Sequence, residues 1–66
     1  MITCDFYLSN RIKTISGNSM RTCWNTFKND FGEAKSELCK VKVIYESGTE
    51  SHYAPKDFIS LALDNL

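Results

Sequence analysis

The most regular alternation of apolar and polar positions in the chain is centred on Val41, Val43 and Tyr45, which recur at every second residue. Lysines and a glutamate occupy the alternating positions, as expected for a strand with one buried face and one face exposed to solvent. Gly48 follows, and glycine can adopt the positive φ that a tight hairpin turn requires. The pattern predicts a β-hairpin over residues 39–54.

A second alternation opens the chain and predicts a strand over residues 2–8. Its apolar face consists of Ile2, Cys4, Phe6 and Leu8. Residues 11–15 are the candidate return strand of a first hairpin, because Ser9 and Asn10 are common turn residues. That strand would place Arg11, Lys13 and Ile15 on one face, with Ile12 and Thr14 on the other.

Helical periodicity replaces the alternation between the two hairpins. The apolar residues that follow the i, i+3, i+4, i+7 spacing of a one-sided helix are Met20, Cys23, Trp24, Phe27 and Phe31. Asn18 or Ser19 is a candidate N-cap and Gly32 a candidate residue just past the C-terminus, which predicts a helix over residues 19–31. The spacing favours a core position for Trp24, although an indole would also suit an exposed binding anchor.

A second helix is predicted over residues 55–64. Pro55 suits its first position, where the missing N–H is not needed, and Asp57 places negative charge in the first turn. Apolar residues spread over roughly 200° of this helix, about twice the stripe that a helix covering one sheet needs. We expect Phe58, Leu61 and Ala62 to face the sheet, which leaves an apolar strip of Ile59, Leu63 and Leu66.

These elements form two successive ββα units. We predict an α+β fold, a small two-layer sandwich in which two hairpins make one antiparallel sheet and two helices cover one of its faces. The chain of 66 residues is expected to be a single domain, 1–66. A domain of this length buries only about 60% of the surface that its unfolded chain exposes, so its stability margin should be small.

The balance of charge narrows the classes of partner. Eight basic and eight acidic side chains give a formal net charge of zero, which argues against a strongly basic nucleic-acid binder and against an acidic mimic of DNA. No run of about 20 apolar residues is present to span a membrane. The three cysteines are an odd number and no signal-peptide pattern opens the chain, so we expect reduced thiols and a cytoplasmic location.

Few residues of the chain are of types that support catalysis or metal binding. His52 is the single histidine, so neither a catalytic triad nor a multi-histidine metal site can form within one chain. Cys4, Cys23, Cys39 and His52 match in number the four ligands of zinc, but no close pair of cysteines marks a structural zinc site. We therefore expect no enzymatic activity, no metal and no cofactor, with the cysteines acting as small apolar residues.

The favoured functional hypothesis is a protein-binding module that acts by occupying a surface, as a phage- or plasmid-encoded inhibitor of a host or defence complex would. Its predicted partner-binding residues are the strip of Ile59, Leu63 and Leu66, because a small monomer rarely leaves such an apolar strip exposed to solvent. The strip would contact either a target protein or a second copy in a homodimer. In the alternative interpretation, residues 33–37 fold over it.

The alternative function is that of a small RNA- or DNA-binding accessory protein. Arg11, Lys13 and Arg21 would contact phosphates, and Tyr7 or Tyr45 would stack on bases. The neutral net charge favours instead the interpretation of these cations as solvated groups that discourage edge-to-edge pairing of strands.

Overall fold

A computed structural model describes residues 1–64 of the chain. Two β-hairpins alternate with two α-helices, in the predicted order. The elements are β1 (Ile2–Tyr7), β2 (Ile12–Gly17), α1 (Met20–Phe31), a 3₁₀ helix (Gly32–Glu37), β3 (Lys40–Ile44), β4 (Glu50–Tyr53) and α2 (Pro55–Asp64). The predicted role of Leu66 in partner binding falls outside the described residues.

The four strands form one antiparallel sheet in the order β2-β1-β3-β4. Each hairpin contributes two neighbouring strands. The hairpins join where β1 pairs with β3, which places Cys4 opposite Val43 and Phe6 opposite Val41. All four of these side chains are buried beneath the two helices, which cover the same face. The predicted α+β sandwich is therefore confirmed.

The return strand of the first hairpin exists but is displaced from its predicted bounds. β2 begins one residue after Arg11, because the N–H of Leu8 donates to the Arg11 carbonyl at 2.8 Å and closes the turn there. It then extends two residues past Ile15. Lys13 and Ile15 lie on the face beneath the helices, as the alternation predicted, and Ile12 lies on the exposed face. Arg11 itself belongs to the turn.

Aromatic rings fill most of the space between the sheet and the helices. The Phe6 ring stacks on Phe27 of α1 with centroids 4.3 Å apart and meets Phe58 of α2 edge-on at 5.5 Å. Trp24 is only 2% exposed, so its predicted core position is confirmed and its interpretation as an exposed anchor is wrong. The other buried apolar residues are Cys4, Leu8, Ile15, Cys23, Ala34, Val41, Val43 and Ala62.

The two ends of α1 differ in how well the sequence predicted them. Ser19 caps the N-terminus, where its side-chain oxygen accepts the N–H of Thr22 at 3.2 Å. At the other end α1 stops at Phe31 and Gly32 follows it, as predicted, but Gly32 has right-handed dihedral angles, φ −55° and ψ −33°, and does not reverse the chain. The chain instead winds on as a 3₁₀ helix, which buries Ala34 against the core.

The face that α2 buries is narrower than the sequence predicted. Phe58 and Ala62 are buried as expected, whereas Leu61 is 40% exposed, so the expectation that it faces the sheet is wrong. Leu61 lies on the side of α2 next to the start of α1, where the helices leave a cleft between them. Ile59, on the other side, is half-buried and packs against the edge of the core.

The segment that follows α1 does not cover the second helix. The 3₁₀ helix contacts α1, and the Ser9 hydroxyl in the β1–β2 turn donates to the Glu37 carboxylate at 2.7 Å. These contacts hold the segment beside the first hairpin, whereas α2 lies over β3 and β4. The alternative in which residues 33–37 fold over the apolar strip is therefore wrong, and Leu63 remains 39% exposed.

Replacement of Phe27 by alanine should lower the free energy of unfolding by about 3 to 5 kcal/mol, because it removes a large ring from the core. Trp24→Ala should have a similar effect. Asn25→Ala, at an exposed position of the same helix, is the matched control and should change the stability by less than about 0.5 kcal/mol. Urea denaturation followed by circular dichroism measures all three variants, and an unchanged midpoint for Trp24→Ala would contradict the core assignment.

Candidate functional site

An apolar cleft of about 270 Å³ opens between the two helices at one end of the sheet. Ile2 from β1, Met20 from α1 and Tyr45 at the end of β3 line it together with Leu61 and Ala62 of α2. The exposed side chains of Ser19 and Arg21 also line it and supply its polar groups. A mostly apolar concavity with a few polar groups is suited to hold an apolar side chain of a partner beside a negative one. We call it the end cleft.

A second tyrosine holds Tyr45 in place in the end cleft. The hydroxyls of Tyr45 and of Tyr53 on β4 are 3.2 Å apart. This hydrogen bond, together with burial, raises the pKa of Tyr45. The phenol is therefore neutral at physiological pH, and the cleft gains no negative charge from it.

A second apolar surface lies on the opposite side of α2. It consists of Ile59 and Leu63, two of the three predicted partner-binding residues, and we call it the α2 strip. Because Leu61 faces α1, the opposite side of the helix faces the outer edge of the sheet, which is β4. The structure thus places Ile59 and Leu63 on the side of α2 nearest this edge strand.

The sheet face away from the helices carries mostly polar side chains, and several of them pair with one another. The Asp5 carboxylate accepts a hydrogen bond from Thr14 at 2.8 Å and lies 3.7 Å from the Lys42 ammonium, which is also 3.9 Å from the Glu50 carboxylate. The Lys40 ammonium lies 4.7 Å from the centroid of the Tyr7 ring. Lys40 and Lys42 therefore already have partners on their own sheet, and the face of Tyr7 is covered.

The three cations of the nucleic-acid alternative do not form one patch. Arg11 lies in the turn before β2, and Arg21 lies in the first turn of α1, beyond the other end of that strand. At about 3.3 Å per residue, the strand between them is roughly 16 to 20 Å long. Lys13 projects towards the helices, where its ammonium lies 4.9 Å from the centroid of the Phe31 ring. Arg11 and Arg21 would therefore have to contact different phosphates, and Lys13 is directed away from both.

The four candidate zinc ligands are also separated. Cys4 and Cys23 are buried on the helix side of the sheet, where the Cys23 thiol donates to the Ile15 carbonyl at 3.6 Å and Ile15 pairs with Cys4. Hydrogen bonding to the Cys23 thiol, and burial, raise the pKa of the Cys4 thiol. Cys39 is exposed ahead of β3, and His52 is exposed on the opposite face of the sheet. Cys4 and Cys23 are therefore packed core residues, and the raised pKa keeps the Cys4 thiol protonated.

Two further observations concern residues 1–64. No group of three or more histidine, cysteine, aspartate or glutamate side chains lies close enough together to hold a metal ion. None of the helices in this part of the chain has both the length and the apolar character needed to cross a membrane. Comparison with protein-family models, with curated proteins and with solved structures finds no match to the chain.

Sequence reasoning found the α2 strip but missed the end cleft. The cleft joins residues from both ends of the chain, so no local pattern marks it. Leu61 carried the one available signal, because it lies at the far side of the apolar arc of α2 from Leu63. An apolar arc of roughly 200° is too wide for one buried face. The residues at both of its margins, Leu61 and Leu63, could therefore have been predicted to be exposed.

The burial of the thiols leads to a direct chemical test. In the native protein a thiol reagent such as Ellman's reagent should rapidly modify one cysteine, Cys39, and in denaturant it should modify all three. A thiolate attacks the disulfide bond of the reagent and releases its aromatic thiolate, whereas burial and the raised pKa keep Cys4 protonated and inaccessible. Cys39→Ser should remove the rapid phase. Two rapid thiols in the native wild type would contradict the packing of α1 on β1.

Proposed function

We propose that the chain is a protein-binding module, which acts by occupying a surface of another protein through α2. The observation that carries the proposal is the exposure of two leucines on opposite sides of this short helix, Leu61 at 40% and Leu63 at 39%. A one-sided surface helix would present polar residues at such positions. An exposed apolar side chain beside a concave apolar surface, as Leu61 is, is typical of protein-protein contacts.

The end cleft is the proposed site for a target protein. Its lining is apolar at Ile2, Met20 and Leu61, so an inserted aliphatic or aromatic side chain would lose its contact with water there. Arg21 favours a carboxylate next to that anchor on the partner. Binding would also stabilise the chain, because a partner that binds only the folded state lowers the unfolded population.

The nucleic-acid alternative has less support from the geometry. It relied on Arg11, Lys13 and Arg21 acting together and on an open tyrosine ring. The three cations are separated, and the ring of Tyr7 lies under the Lys40 ammonium. The zero net charge supplies no general attraction to phosphate. Catalysis is not proposed for any residue.

The biological context of the proposed function rests on the sequence alone. A phage- or plasmid-encoded inhibitor of a host or defence complex remains a prediction, as does a cytoplasmic location. Such an inhibitor would bind one subunit of its target complex and block a surface of that subunit. The affinity capture that tests the binding site also tests this prediction, because the identity of the retained protein shows which complex it belongs to.

Affinity capture from a host lysate, performed with and without nuclease, should retain a partner with the wild-type chain in both cases and lose it with Leu61→Asp. The aspartate puts a charge at the apolar lip of the cleft, which should weaken binding at least about tenfold. Ser60→Asp is the matched control, since it adds the same charge at the neighbouring exposed position. Thermal unfolding monitored by circular dichroism should show that both variants fold.

Two outcomes would contradict the proposed site. A partner that Leu61→Asp retains as well as the wild type does would place binding elsewhere on the chain. Retained material that disappears on nuclease treatment would favour the nucleic-acid alternative. In that case Arg11→Ala and Arg21→Ala should each reduce binding to an oligonucleotide.

A further inference from the structure

We propose that two copies of this chain associate through the free edge of β4, so that their sheets join into one antiparallel sheet of eight strands and the α2 strips of the two copies pack against each other. This interface is on the opposite side of α2 from the end cleft. The proposal therefore does not rest on the proposed function. It rests on backbone direction, charge order and helix spacing.

The outer edge of β4 presents unpaired backbone groups in a defined pattern. The N–H of Tyr45 donates to the Thr49 carbonyl at 2.9 Å, and the β3–β4 register repeats this pairing at every second residue of β4. Along an antiparallel strand, successive residues point their backbone groups alternately to the two sides. The N–H and C=O groups of Glu50 and His52 therefore point away from β3. No strand within residues 1–64 covers them.

A two-fold axis at Ser51, perpendicular to the sheet, pairs these groups completely. Glu50 of each copy then lies opposite His52 of the other, and each pair exchanges two backbone hydrogen bonds, four in all. The side chains of Glu50 and His52 both project from the polar face, so each carboxylate meets an imidazole across the joint. Opposite or hydrogen-bonding pairs at such positions stabilise a sheet.

The neighbouring register is less favourable. An axis at His52 would place the two imidazoles opposite each other and would need the carbonyl of Ala54 as an acceptor. That carbonyl already accepts the N–H of Phe58 at 3.0 Å in the first turn of α2. The axis at Ser51 avoids both conflicts. Two small serine side chains then face each other beneath the helices.

Helix spacing supports the same arrangement. α2 contacts both β3 and β4, so its axis lies over the space between these strands. With strands about 4.8 Å apart, the two copies of α2 would lie about 10 Å apart across the joint, the distance at which helices pack. Ile59 and Leu63 lie on the facing sides of the two helices. The contact would cover the exposed part of the α2 strip.

The other edge strand is unsuited to this kind of pairing. On β2, the Lys13 side chain projects beneath the helices beside Phe31, and a charge directed inward at a sheet edge disfavours the addition of another strand. The residues of β2 whose backbone groups point outward are Ile12, Thr14 and Ser16. They offer no pair of opposite charges. Of the two edge strands, β4 combines a free edge with a self-complementary order of side chains, in which a carboxylate lies opposite an imidazole.

Sedimentation equilibrium of the wild type at high micromolar concentration should give twice the 7.5 kDa of one chain. His52→Pro should give the monomer mass, because proline lacks the outward N–H yet is tolerated on an edge strand. Thr14→Pro is the matched control, since it removes an outward N–H from β2, and should leave the dimer intact. A monomeric wild type, or a dimer that survives His52→Pro, would overturn the proposal.

Charge variants decide the question if His52→Pro fails to fold. His52→Glu places two glutamates opposite each other at both pairs and should raise the dimer dissociation constant by about tenfold or more. Glu50→Lys with His52→Glu restores opposite charges and should return the constant to near the wild-type value. Equal dissociation constants for the wild type, His52→Glu and the double variant would overturn the register. Leu61→Asp should leave the dimer intact, which separates this test from that of the end cleft.

Discussion

The packing of Phe6 at the centre of the molecule joins its two halves. β1 is the strand that pairs with both the other strand of its own hairpin and the second hairpin. From this strand the Phe6 ring contacts Phe27 of α1 and Phe58 of α2 at centroid distances of 4.3 and 5.5 Å. Each ββα unit alone is about half of the 66 residues, and a unit of fewer than about 40 residues rarely buries enough apolar surface to fold by itself.

The concentration of aromatic rings at this centre has a consequence at the periphery. The rings pack between the helices and the middle of the sheet, whereas none of them lines the space at one of its ends. At the end formed by Ile2 and Tyr45, the helices leave the end cleft, with Leu61 exposed beside it. The surface that we assign to a partner is thus a result of how so short a chain distributes its apolar residues.

The sequence predicted those parts of the fold that depend on neighbours along the chain. Alternation identified both hairpins, and the spacing of Trp24 and Phe27 identified the buried face of α1. Gly32 follows the end of α1 as expected, but it keeps right-handed dihedral angles because the burial of Ala34, a tertiary contact, continues the chain as a 3₁₀ helix. Leu61 was misjudged because its exposure depends on the distance between α1 and α2. The end cleft could not be predicted for the same reason, since four separate elements form it.

The two proposed interfaces use opposite sides of one helix and therefore do not compete. In the dimer the order of helices across the sheet would be α1, α2, α2 and α1, with each end cleft between an outer and an inner helix. Pairing at β4 covers Ile59 and Leu63 and leaves Leu61 of both copies open. The dimer would then present two identical clefts on one face. A target with two copies of the same epitope would be held more tightly than one chain could hold it, because the second contact forms at a high effective concentration.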